Sequence, residues 1–170
     1  MRAFRRADWS LAVLYASLKA LHLLATIVWV GGMFFMLHCL RPAAALLEPP
    51  LRLTLLHATM RRFFVAVIAA IVVIGVSGAA MIAMAWAAAR RANLMFNMPL
   101  DWYTMIGVFA AMVAVFAHVR WVLFRRMGTA VRAQRWPEAA AAAGAIRWEV
   151  MLNLVLGIFV VAAVRLGSAA

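Results

Sequence analysis

Four long apolar runs decide what this chain can fold into. They cover about residues 11–40, 63–89, 102–124 and 148–166, and only Lys19 and His22 interrupt the first. A helix crossing the ~30 Å hydrocarbon core of a bilayer needs roughly 20 apolar residues, so each run is a candidate span. None alternates polar with apolar, and Ala, Leu and Met dominate, which argues for helices and against strands. The chain is 69% apolar and 13% charged, against about 45–50% and 25% for a soluble domain. Lipid must therefore solvate most of it. The expected fold is all-α, an integral membrane four-helix bundle forming a single domain over residues 1–170. A soluble enzyme domain and a secreted disulfide scaffold are excluded. The single cysteine, Cys39, forbids an intrachain disulfide and any multi-cysteine metal centre.

Aromatic residues mark the ends of the runs, as amphipathic rings do at headgroup level. Trp86 closes the second, Trp102 and Tyr103 open the third, Trp121 closes it, and Trp148 opens the fourth. Trp29 stands mid-span in the first. The N-terminal Arg2, Arg5 and Arg6 before an apolar run resemble a signal peptide. That run, however, is about twice the usual h-region length and is stopped by Arg41-Pro42, so it reads as a retained helix. Residues 41–62 hold Pro49-Pro50 and then an amphipathic stretch with Arg52, His57, Arg61 and Arg62, expected from Leu51 as an interfacial helical turn leading into the second run, with His57 solvated. Residues 125–147 carry five Arg and an Ala-rich helical piece after Pro137.

The net charge of +12 lies between the spans rather than along one face. It therefore reads as topology and implies no nucleic acid partner. Cytoplasmic loops collect Lys and Arg. The connections 41–62 and 125–147 hold nine Arg, whereas Arg2, Arg5, Arg6, Arg90, Arg91 and Arg165 make six on the other side. The balance puts both termini in the periplasm of a bacterial inner membrane.

Ionisable groups inside a membrane helix cost roughly 2.5–3.5 kcal/mol each at the centre, so the few present carry weight. Steps of three and four align Tyr15, Lys19, His22, Thr26, Trp29, Met33 and Met36 on one face of the first segment, and such a face is expected to point inward. A second face, Thr104, Gly107, Ala111, Ala114, His118, Trp121 and Arg125, is expected to point inward from the third. The fourth offers Asn153, one turn after Glu149, and the second offers Gly75, Ser77 and Gly78. His22, His118, Trp29 and Asn153 are the candidate cofactor-binding residues. Each also fits a packing role, because polar side chains join membrane helices by hydrogen bonds, and Lys19 fits a snorkelling role.

The 12 methionines include three i, i+3 pairs: Met33/Met36, Met81/Met84 and Met95/Met98. Thioethers are soft donors suited to Cu(I), and this spacing brings two sulfurs together on a helix. With His22 they form the candidate metal set, although Met is also an ordinary core-filling residue.

The run Leu18-Lys19-Ala20-Leu21-His22-Leu23-Leu24 followed by Trp29-Val30-Gly31-Gly32-Met33-Phe34-Phe35 resembles the first helix of the copper resistance protein D (CopD) family. Arg61-Arg62-Phe63-Phe64, the stretch from Arg125-Arg126 to Trp136-Pro137, Ile146-Arg147 and Asn153-Leu154-Val155-Leu156-Gly157 look similar to its short four-helix members. The resemblance implies an inner-membrane protein linked to copper uptake or tolerance. The Leu-Lys-Ala-Leu-His…Trp run also resembles HemJ, a haem-b membrane protoporphyrinogen oxidase. The chain departs from HemJ in lacking its Leu-Pro-Arg motif, with Leu37-His38-Cys39-Leu40-Arg41-Pro42 standing there, and in having no Lys beyond Lys19.

Three functions compete. The first is copper binding, with His22 as ligand and Met81, Met84, Met95 and Met98 guiding entry, alone or with a copper-handling partner or a second copy of the chain. The second is a haem-b redox protein using His22 and/or His118. Their depths differ by roughly 10–13 Å at 1.5 Å per residue, whereas two ligands of one iron lie roughly 4–5 Å apart for metal–N bonds near 2 Å, so one haem does not take both. The third is an accessory subunit in which every inward polar residue is packing. No paired carboxylates or Ser-His-Asp set in the spans points to hydrolysis.

Overall fold

The computed structural model describes residues 2–167, with side chains described for 9–164. The charge count therefore includes four arginines, Arg2, Arg5, Arg6 and Arg165, whose side chains lie outside the described set. In order, the elements are α1 (Arg2–Phe35), a π-helical turn (Met36–Leu40), α2 (Arg41–Ala44), α3 (Pro49–Arg91), α4 (Leu100–His118), a second π-helical turn (Val119–Leu123), α5 (Phe124–Arg132) and α6 (Trp136–Gly167). No strand occurs among the described residues. The π turns join their neighbours without a break, so four continuous helices result. They are Trp9–Ala44, Pro49–Arg91, Leu100–Arg132 and Trp136–Val164, each long and apolar enough to cross a membrane. The chain is a multi-pass, all-α membrane protein.

The helices end where backbone chemistry dictates. Pro49 and Pro50 start α3, since proline lacks only an N–H that a first turn leaves unpaired anyway. No Pro follows in α3, so the stretch from Leu51 is helical and leads into the span as one 43-residue helix. At 1.5 Å per residue that is about 65 Å, twice the hydrocarbon thickness, so part of α3 extends beyond the lipid core. Asn93 and Gln134, both at φ 55°, close α3 and α5. In each case the next residue's N–H bonds back across the final turn, Leu94 to Ala89 at 2.9 Å and Arg135 to Ala130 at 2.9 Å, the Schellman closure.

The chain divides into two compact units: Met1–Trp29 with Val67–Met98, and Val30–Ala66 with Pro99–Ala170. The first is a helix pair, the early part of α1 with the later part of α3. The second holds segments of all four long helices as a four-helix bundle. Its core includes Leu56, Met60, Phe64, Phe116, Met127, Ile146 and Leu154, all buried. Phe64 meets Phe116 and Phe124 edge-on, with centroids at 5.5 and 4.9 Å. His57 stacks flat on Phe124 at 4.6 Å. It is half-buried, because a continuous α3 turns the Leu53, Leu56, Met60 and Phe64 face, and His57 beside it, into the bundle. Gly128 makes this approach possible: a Cβ there would lie 2.8 Å from His57 Nε2.

The expected inward face of the third segment lies outward. Gly107, Ala111, Ala114, His118, Trp121 and Arg125 are exposed, and Met112, Phe116, Val119 and Leu123 form the buried face instead. Bulk decides the matter. In lipid an apolar face gains nothing by hiding from solvent, so the side that packs is the one offering interlocking surface.

Candidate functional site

α1 and α3 bring His22 and Ser77 together within the first unit. His22 Nδ1 lies 2.9 Å from Ser77 Oγ. Ser77 is fully buried, and its hydroxyl donates to the Val73 carbonyl one turn earlier on α3. When the Ser77 proton points to Val73, the ring donates to Ser77 from Nδ1. His22 also hydrogen-bonds the Ile74 backbone, so two neighbours on α3 orient the imidazole, as the partners of a ligating histidine do. Gly78 lies against the same ring: a Cβ there would sit 3.5 Å from His22 Cε1. Thr26 Oγ1 donates to the His22 carbonyl at 2.9 Å, so that hydroxyl is spent within α1.

The other first-segment candidates grade from exposed to buried along the helix. Tyr15 and Lys19 are exposed, His22 and Thr26 half-buried, and Trp29, Met33 and Met36 buried. Met33 and Met36 belong to the second unit, and Met36 opens the first π turn. Met81 and Met84 follow Ser77 by four and seven residues, which aligns them on its face of α3; both are half-buried. Met95 is 94% exposed in the segment between α3 and α4, and Met98 is half-buried there. Among the described residues no three His, Cys, Asp or Glu side chains gather as a metal-binding group. Cys39 is exposed, and the neighbouring His38 ring rests on Phe34 at 4.7 Å.

His118 and Asn153 lie in the second unit. His118 Nδ1 meets both carboxylate oxygens of Glu149, at 2.7 and 2.9 Å. The imidazole donates there, on an exposed surface with half of its side chain accessible. Asn153 is buried. Its Nδ2 donates to the Met112 carbonyl at 3.1 Å, joining α6 to α4, while its Oδ1 has no partner.

Two partners were absent from the expected site, Ser77 and Glu149, and both left a signal. Ser77 is the lone hydroxyl within residues 63–89 and stands as far after Pro49-Pro50 as His22 stands before it. Glu149 and His118 flank Gln134 at nearly equal separation. Consecutive membrane helices bring such positions to one depth.

Residues 57–166, more than half of the chain, match the family model described as Copper resistance protein D. The match begins within α3 and covers α4 to α6. His118, Asn153 and the Met81–Met98 set fall inside it, while the Leu18–Phe35 run with His22 precedes it. No curated protein and no solved structure matches the chain.

Proposed function

The chain belongs to the copper resistance protein D family, and from that premise we propose that it binds Cu(I) in the bacterial inner membrane and buffers or moves it in copper tolerance. His22 is the primary ligand. What supports this is the ring's anchorage: Ser77 Oγ lies 2.9 Å from Nδ1 and orients the imidazole as a ligand's partner does. Met81 and Met84, on the Ser77 face of α3, supply thioethers. Imidazole and thioether are neutral, so they bind a monovalent soft cation without bringing negative charge into lipid. Met95 and Met98 act at the entrance. Met33, Met36, Trp29 and Asn153 are further candidate contacts for the ion, each to be tested by its own substitution. The Arg-rich connections face the cytoplasm, so both termini and Met95 face the periplasm, where a copper-handling protein or a second copy of the chain would deliver or receive the ion.

The same anchored imidazoles suit haem b, with His22 or His118 as a single axial ligand, and one measurement separates the two readings. Protein purified from membranes is analysed by absorbance and metal content, then titrated with Cu(I) against a chelator. Copper is expected to bind, with affinity lost in His22→Ala and lowered in the Met81→Leu/Met84→Leu double variant. A Soret band that disappears in His22→Ala would replace copper with haem. Absence of both would leave a packing subunit.

A further inference from the structure

At the Arg-rich end of the second unit, three guanidiniums share one cavity and no acid answers them. The cavity measures about 410 Å³, and its walls include Arg41, Arg52 and Arg147 together with Leu37, Leu53 and Leu56. The arginines come from α2, α3 and α6. Arg41 is held in place: its Nη2 donates to the Ala143 carbonyl. Arg147 is near enough to Arg41 for the two charges to repel. Among the described residues the ion pairs are His118–Glu149 and Arg135–Glu138, and neither involves this cluster. Like charges gathered beside apolar walls are costly unless an anion neutralises them. The volume lies in the roughly 300–1,000 Å³ range of sites that enclose small molecules.

We propose that this cavity binds the phosphate of an anionic phospholipid. Guanidinium forks match phosphate oxygens in pairs. Basic pockets between membrane helices on the cytoplasmic side take such headgroups, and this cavity lies where the connections 41–62 and 125–147, with their nine Arg, meet the spans. The leucine walls choose a lipid over a soluble phosphate, because they offer an apolar lining to the glycerol and the first acyl methylenes. Arg41, Arg52 and Arg147 hold the phosphate, and the lipid ties α2, α3 and α6 together. This site is separate from His22 and stands whether or not copper binds there.

The test uses the full chain in mild detergent with phosphatidylglycerol, phosphatidylcholine or inorganic phosphate, read by native mass spectrometry and thermal unfolding. Phosphatidylglycerol is expected to be retained and to raise the Tm, with phosphatidylcholine well below it. Arg52→Gln and Arg147→Gln should each cut retention about fivefold, the worth of one basic residue at an anionic surface. The exposed Arg126→Gln should not. Arg41→Gln is a poorer probe, because it also releases the Ala143 carbonyl. Equal retention of the two lipids, or full retention in Arg52→Gln and Arg147→Gln, overturns the proposal. A matching Tm rise with inorganic phosphate overturns the lipid assignment in favour of a free anion.

Discussion

On the proposed reading, His22 needs one neighbour to serve as a ligand rather than as packing. Ser77 holds its Nδ1 at 2.9 Å from α3. Removing that hydroxyl removes an orienting partner. Ser77→Ala is therefore expected to weaken Cu(I) binding roughly 10–100-fold, the usual effect of losing a ligand's orienting partner, with His22 and all thioethers intact. Chelator competition measures this, and an unchanged affinity would show that Ser77 does not orient the ligand. His22 itself was legible in the sequence, as one of very few ionisable residues inside a span. Its pairing was not, because the partner, Ser77, lies 55 residues away. His57 was misread for a related reason. Its amphipathic surroundings suggested water, but the stack on Phe124 depends on α3 being unbroken, which local polarity does not reveal.

At the level of elements, the number of long helices was legible, whereas their full lengths, faces and hydrogen-bond register were not. Each apolar run marks a helix that continues past it, α3 starting at Pro49 rather than residue 63 and α6 at Trp136 rather than residue 148. The two π turns, Met36–Leu40 and Val119–Leu123, shift the ladder by one residue and leave no compositional trace. The buried face of α4 was hidden because almost every residue there is apolar, so periodicity of polarity had nothing to act on. Two substitutions test what the elements rest on. Gly128→Ala drives a methyl into His57, a ring that cannot slide freely while stacked on Phe124. Overpacking of this kind costs about 1–3 kcal/mol, visible as a lower Tm. Pairing it with His57→Ala should recover most of the loss, and no recovery would refute the contact. Gln134→Gly acts in the opposite direction. A non-glycine residue in the left-handed region costs roughly 1–2 kcal/mol, so glycine at this closure should raise the Tm, offset in part by the freedom it adds to the unfolded chain.

For the whole molecule, the proposed orientation and the proposed lipid site rest on the same arginines. Nine Arg on the 41–62 and 125–147 connections favour the cytoplasm, because the inner leaflet is anionic and basic loops resist translocation. That orientation sends the segment between α3 and α4, with Met95, to the periplasm, the side from which copper would enter, and it sets the three-arginine cavity against the anionic leaflet. One labelling experiment checks this arrangement. Leu46 and Leu94 are both strongly exposed, 89% and 67%, in opposite connections. In a Cys39→Ser background, Leu94→Cys should react with a membrane-impermeant maleimide on intact spheroplasts, while Leu46→Cys should react only after lysis. The reverse pattern would turn the molecule over. It would put Met95 in the cytoplasm, make export the natural direction for a Cu(I) path starting there, and move the arginine cavity to the leaflet where its proposed lipid is scarcer.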